Sequence, residues 1–336
     1  MLDIDTLEKY DKGAMYKVYD MWPQIARESY DSNHQTVDFE TINHIVFAGM
    51  GGSGALGDIF SAILSKTGLH VSVVKGYVLP KTVNADTLVV VVSISGNTVE
   101  TNTILDSAKQ FTRKIVAFSS GGKMEDYCKE KNIEYRKIPL YHSPRASFTA
   151  FLYSMLNVLS EVIPISKDDI YDSIKAMEET RKEICSSNLS DNNLSLSLAK
   201  WVTGLPVIYY PLGLQAAAIR FKSSLQENAK IQALAEDIIE ACHNGIVPWE
   251  KKSSNCPILI QGDKDYFKTK ERWKIIKEYY DQNDIKYHEV FTDSGSILSK
   301  LINLIYRLDY ASIYAAVMSG VDPGPVKPID FIKSKL

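Results

Sequence analysis

Two runs of glycine and hydroxyl-bearing residues have the composition of anion seats. The first, GMGGSGALGD from Gly49 to Asp58, follows the apolar run Ile45 to Ala48. Gly49, Gly51, Gly52 and Gly54 let the backbone turn tightly, and a strand that enters a helix through such a turn offers unpaired N–H groups to a phosphate. Ser53 adds a hydroxyl donor at the same place. The second run, SISGNTVET, clusters Ser93, Ser95, Asn97 and Thr98 around Gly96 at the end of a valine-rich stretch. Either run alone also suits a turn that packs a helix on a sheet, and Ser95 and Thr98 also suit helix capping. As a pair, the two fit one phosphate ester held between them. A dinucleotide is a poor alternative, because no carboxylate stands about twenty residues after the glycines, where the sequence is His70 to Lys75. No Lys-Ser or Lys-Thr pair follows the glycines, so a Walker A loop is absent as well.

A second group of residues could move protons. Glu227 interrupts a helical pattern in LQENAK and would face either a cleft or solvent. His243 stands at a glycine-terminated helix end in ACHNGIVPW, where it either complements the helix dipole or titrates near neutrality. Arg145 lies beside a proline at a helix start, a placement that suits anion contact as well as plain exposure. Lys327 and Lys333 sit in or beside the terminal segment, where surface charge is the ordinary role. Metal binding has little support, since His34, His44, His70, His142, His243 and His288 are scattered without ligand spacing. A serine nucleophile lacks its G-x-S-x-G elbow.

Alternating strand and helix patterns must position these residues. Leu7 to Tyr30 reads as helical and outside the first sheet. Strands follow at Ile45–Ala48, Val71–Lys75, Asp86–Ile94, Lys114–Ser119 and Ile133–Lys137, with helices at Ala55–Thr67, after Thr98 and at Thr149–Val162. Ile170–Ile184 reads as a linking helix and Cys185–Ser195 as a loop. The pattern then restarts, with strands at Pro206–Tyr210, Pro257–Gln261 and Lys286–Phe291 and helices from Leu214, at Tyr266–Asp281, Ile297–Met318 and Ile329–Lys335. The repeated order of helix, strand, glycine and helix predicts a weak internal duplication: residues 1–163 form one α/β domain, 164–195 a link, and 196–336 a second.

Composition narrows the class. The 336 residues are enough for two domains, and 45% hydrophobic residues supply a core. A formal charge of -3 speaks against a nucleic-acid partner. Cys128, Cys185, Cys242 and Cys256 form no close ligand pair and read as thiols of a reducing compartment. No run approaches a membrane span or a targeting segment, so a cytoplasmic location is expected.

The motifs together resemble a known family. GMGGSGALGD and SISGNTVET are similar to the two phosphate-sugar loops of the sugar isomerase (SIS) domain superfamily. SPRASF (Ser143–Phe148), FKSSLQENAKIQA (Phe221–Ala233), HNGIVPW (His243–Trp249) and VDPGPVKPI resemble its bifunctional phosphoglucose/phosphomannose isomerase branch. The resemblance implies two three-layer α/β/α domains with mostly parallel sheets, a homodimer, and interconversion of glucose 6-phosphate and mannose 6-phosphate with fructose 6-phosphate. It implies phosphate contacts from Gly52, Ser53, Ser93, Ser95 and Thr98, and Glu227 as the base. It also implies a ring-opening role for His243, an enediolate-facing Arg145, and a terminal lysine at Lys333, with Lys327 as competitor. No metal, nucleotide or redox cofactor is implied. In this branch a threonine replaces the glutamine that is associated with excluding mannose in ordinary phosphoglucose isomerases. Here Gly324, Pro325 and Val326 supply neither, which favours a roomy site. The competing reading is a sugar-phosphate sensor of the same superfamily without catalysis.

Overall fold

The computed structural model describes residues 2–335. Helices α1 (Ile4–Tyr10), α2 (Met15–Asp20) and α3 (Trp22–Tyr30) open the chain. The single helical stretch expected over Leu7–Tyr30 is thus cut twice. Asp11 causes the first cut: its carboxylate accepts the N–H groups of Met15 at 3.0 Å and Tyr16 at 2.8 Å, so it starts a new helix instead of continuing the old one. Pro23, which has no N–H to give, suits the first turn of α3 and marks the second.

A regular alternation follows: β1 (His44–Ala48), α4 (Gly52–Leu64), β2 (His70–Val74), β3 (Thr87–Val92), α5 (Val99–Ala108), β4 (Ile115–Ser119), α6 (Gly122–Lys131), β5 (Glu134–Lys137) and α7 (Phe148–Val158). Next come α8 (Lys167–Ile184), α9 (Leu194–Trp201), β6 (Pro206–Tyr210), α10 (Gln215–Ser224), β7 (Leu234–Asp237), α11 (Ile238–Ala241), β8 (Cys256–Gln261), α12 (Phe267–Gln282), β9 (His288–Phe291), α13 (Ile297–Met318) and α14 (Lys327–Lys333). By internal contacts the chain forms two compact units. One comprises Met21–Ile174 with Pro328–Leu336, the other Met1–Asp20 with Lys175–Lys327. Helices α1 and α2 therefore belong with the later strands, not with the sheet that follows them in sequence.

The first unit holds a five-stranded sheet in the order β2-β1-β3-β4-β5, with every pairing parallel. Its central strands β1, β3 and β4 are buried along their whole length, which is why they read as unbroken apolar runs. Val46, Val89, Val91, Ile104, Leu105 and Ala117 belong to one core cluster of this unit. The Trp22 ring lies near Phe148, and its indole N–H donates to the Ala146 carbonyl at 2.8 Å.

The second unit holds a four-stranded parallel sheet in the order β7-β6-β8-β9. Counted within each unit, both sheets begin 2-1-3-4, so the expected duplication is one of topology. Strand β7 departs from the sequence expectation, which places only the helix ending near His243 in this stretch and so misses a four-residue edge strand. Its sequence LAED is short, polar and partly exposed, and so lacks the apolar run that marks β6 and β8. The first twenty residues are tied into this unit by hydroxyls on α13. Tyr306 donates to the Tyr19 carbonyl at 2.6 Å, and Tyr310 donates to the Asp20 carboxylate, which also accepts from Ser186 Oγ at 2.5 Å. Among the described residues no helix is long and apolar enough to cross a membrane.

Histidine burial gives the fold a pH dependence. At the start of β1, His44 is buried, lies 4.7 Å ring to ring from His70, and shares Ser72 Oγ with it. Burial, and then the His70 charge, push its imidazole below the ordinary value of 6.5; burial does the same to His34 and His288. Below pH 6.5 the unfolded chain therefore binds protons more readily than the folded one, and stability is lost as pH falls through that value. A urea midpoint measured near pH 5.5 is expected to lie below that near pH 7.5, and His44→Gln should narrow the gap. Equal midpoints in the parent chain would contradict this account.

Candidate active site

In the first unit the strand order reverses between β1 and β3, and chains leave these two strands in opposite lateral directions. In open parallel sheets the crevice beyond the carboxyl ends at such a point is where ligands bind. Both hydroxyl-bearing runs emerge there. The turn after β1 is tight: a Cβ on Gly49 would stand 2.7 Å from the Ser53 carbonyl carbon, and Gly51 has φ +52°. Ser53 and Gly54 donate to the Met50 carbonyl at 3.0 and 3.2 Å, so Gly51 and Gly52 lie ahead of the first helical hydrogen bonds of α4. Their N–H groups belong to the set that a helix leaves without an internal acceptor.

The two turns are joined by one hydrogen bond. The Ile94 N–H donates to Ser53 Oγ at 3.2 Å, and both residues are buried. A hydroxyl that accepts still has its own hydrogen to donate. Ser93 is buried deeper and serves as a brace, its hydroxyl donating to Thr98 Oγ1 at 2.9 Å. Thr98 occupies the N-cap position of α5, yet its side chain makes no capping hydrogen bond, so the capping explanation of this residue fails. Ser95 is half-buried and its Oγ accepts the Asn97 N–H at 3.3 Å. Gly96 is required here, since it has φ +72° and a Cβ would lie 1.7 Å from the Gly121 carbonyl oxygen.

That clash points to a third turn, one that lies outside the residues singled out from the sequence. After β4, Ser120 donates through both N–H and Oγ to the Ile94 carbonyl, at 2.9 and 2.6 Å, and Asn97 Oδ1 accepts the Lys123 N–H at 3.1 Å. The signal is present in SSGG at Ser119–Gly122, which repeats the pattern of hydroxyls and glycine at a strand end.

Arg145 belongs to the same unit. It is 6% exposed, so the surface-charge reading does not describe it. Its loop is rigidified by Ser147, whose Oγ donates to the Ser143 carbonyl at 2.9 Å and accepts the Tyr141 N–H at 2.8 Å.

Glu227 and His243 lie in the second unit, on the segments that flank β7. Helix α10 does not simply continue: residues Leu225–Ala229 form a π turn, with the Lys230 N–H reaching back to the Leu225 carbonyl, and Lys230 is left-handed at φ +58°. Such wide turns recur at functional sites because they displace a side chain from the regular helical face. Glu227 is half-buried there. Lys230 Nζ clamps the turn, donating to the carbonyls of Glu227 at 2.6 Å, Asn228 at 3.3 Å and Pro323 at 3.4 Å.

His243 is exposed in the turn after α11, its N–H donating to the Glu240 carbonyl at 2.9 Å. The turn is anchored on both sides. Asp237 caps α11 through the N–H groups of Ile239 and Glu240, while Trp249 donates to Tyr209 Oη at 2.8 Å and Tyr209 in turn donates to the Gly245 carbonyl at 3.3 Å. Gly245 is packed against the Glu236 carboxylate, whose pKa burial raises, with help from the neighbouring charges of Glu240 and Asp237. Lys327 opens α14 and Lys333 closes it, and both are exposed.

The reversal point of the second sheet, between β6 and β8, has different chemistry. Its turns carry Pro211–Leu214 and the sequence Gly262, Asp263, Lys264, Asp265, with no serine or threonine, and Asp263 is paired with Lys300 at 2.8 Å. No group of three or more His, Cys, Asp or Glu suited to hold a metal ion is found among the described residues.

Two family models match the chain, the SIS domain over residues 39–156 and the bacterial phospho-glucose isomerase C-terminal SIS domain over residues 191–336. A bifunctional phosphoglucose/phosphomannose isomerase of Caldicellulosiruptor bescii is 32% identical over 312 residues, covering 89% of this chain and 91% of the relative. One from Aquifex aeolicus is 30% identical over 305 residues, covering 89% and 92%. Among solved structures, a hypothetical protein from Thermus thermophilus matches with a TM-score of 0.74 at 15% identity, covering 98% of this chain and 92% of that one, a likeness of fold alone. Similarity of this extent across both halves establishes that the chain belongs to the bifunctional phosphoglucose/phosphomannose isomerase family.

Proposed function

We propose that this chain is an aldose-ketose isomerase that interconverts glucose 6-phosphate and mannose 6-phosphate with fructose 6-phosphate, working as a homodimer. The observation that carries the reading is the bond from the Ile94 N–H to Ser53 Oγ, which fastens two hydroxyl-bearing turns together where the strand order reverses. Gly52, Ser53, Ser95 and Thr98 would meet the phosphate, with Ser93 holding Thr98 in place. Binding energy from that unreactive group fixes the sugar and can be used at the reacting carbons.

The chemistry requires a base for the weakly acidic C2 proton, and Glu227 is assigned that role. A carboxylate takes the proton from C2 and returns it at C1 through a cis-enediolate, so electrons and protons balance without any redox partner. Arg145 is assigned to the negative charge that develops on the enediolate oxygens, where a buried guanidinium acts more strongly than in water. His243 is assigned to ring opening, passing a proton between the C1 hydroxyl and the ring oxygen, with Lys333 assisting. The exposure of Lys333 gives no support for it over Lys327.

A coupled assay with all three hexose phosphates, with and without a chelator, tests the function. Turnover of both aldoses, unchanged by chelator, is expected; saturable binding without turnover would favour the sensor. Glu227→Gln should retain binding of glucose 6-phosphate while exchange of its C2 proton falls by roughly 10²- to 10⁴-fold. Full exchange by that variant would remove Glu227 from the base role. For His243→Asn, the loss is expected to be larger with the cyclic substrate than with an open-chain analogue, and equal losses would argue against ring opening.

A further inference from the structure

The π turn that carries Glu227 rests on a buried polar network supplied by α13. Asp309 is wholly buried, and its Oδ2 accepts from Arg220 Nε at 3.0 Å and Nη2 at 2.6 Å and from the Tyr19 hydroxyl at 3.3 Å. Its Oδ1 accepts from Ser224 Oγ at 2.7 Å. One turn further along α13, Ser312 donates its hydroxyl to the Asp309 carbonyl at 2.6 Å and accepts from Asn228 Nδ2 at 2.8 Å. Asn228 and Ser312 are both 0% exposed.

Arg220, Ser224 and Asn228 follow one another at intervals of four, so a single polar face runs from α10 into the π turn and meets α13. Ser312 uses its hydrogen on Asp309, so its oxygen is left as an acceptor and the turn must bring a donor. Asn228 is that donor. A buried carboxamide that loses its partner costs free energy, and this makes the contact selective for one register of the turn. A π turn can relax to ordinary α-helix by releasing its extra residue, which rotates the side chains beyond it by about 100°. Such a rotation would take Asn228 off Ser312 and swing its neighbour Glu227 to a different face.

We infer that the Asn228–Ser312 hydrogen bond selects the π register of residues 225–229 and thereby aims the Glu227 carboxylate. Asn228 and Ser312 are positioning residues for the proton transfer, an inference that rests on the reading of Glu227 as the base.

The test is kinetic. In Asn228→Ala, kcat for fructose 6-phosphate should fall roughly 10- to 100-fold while KM changes less than about twofold, because phosphate binding is untouched and only the aim of the base is lost. Should that variant not fold, Ser312→Ala, which removes one oxygen, carries the same expectation. The decisive arm places each substitution in a Glu227→Gln background, where no further loss is expected if the two act through Glu227. An unchanged kcat in the single variants, or the same fold-loss in the Glu227→Gln background, would overturn the inference. If Glu227→Gln alone retained full C2 exchange, the base assignment would fail instead, and the two failures are told apart.

Discussion

The constraint on which the first unit depends is the reversal of strand order between β1 and β3. A parallel sheet in the order 2-1-3-4-5 sends the chain one way after β1 and the other way after β3, and the crevice beyond the carboxyl ends at such a point is where open parallel sheets bind ligands. Whatever sits at the two strand ends must face that crevice. Here the occupants are glycines and the hydroxyls of Ser53, Ser93, Ser95 and Thr98, of which Ser93 donates to Thr98. The Ile94 N–H would be a buried orphan if Ser53 were absent, a penalty of about 1–3 kcal/mol. One contact thus satisfies the backbone and sets the spacing of the two turns.

The second unit repeats the strand order with other chemistry. Its reversal point carries aspartates, and its polar groups are concentrated in the core beneath α10 instead. There the Arg220–Asp309 pair is almost fully buried, so removing either partner would strand a charge at a cost of about 3–5 kcal/mol. A hydrophobic core would have held the helices at least as well. What the ionic core adds is a fixed set of acceptors along α13, against which a strained turn can adopt only one register.

Much of this was legible in the chain. Eight of the nine strands were legible, five of them, β1, β3, β4, β6 and β8, because a parallel sheet buries both their faces and so demands apolar runs. Ile297–Met318 was readable to the residue, being apolar enough to lie in the core with Ser296 as its cap. The two turns after β1 and β3 were legible because their glycines and hydroxyls are local features. Strand β7 was not, since an edge strand of four residues needs no apolar run, and the breaks in the N-terminal helices depend on the carboxylate of Asp11. LQENAK signalled an interruption of the helix, but its π geometry follows from partners more than eighty residues away, Asp309 and Ser312, which no local pattern reveals. Burial of Arg145 was hidden for the same reason, because tertiary packing decides it.

The proposed function divides labour between two sheets of one topology, with the ester assigned to the first and the base to the second. Its central claim is that the phosphate is bound at the reversal point of the first sheet. Backbone amide resonances followed during titration with fructose 6-phosphate test this most directly. The account predicts that Gly52, Ser53, Ser95 and Thr98 shift together with one saturation curve. Stationary signals at those four, with movement at the turn of Gly262 to Asp265 instead, would contradict it.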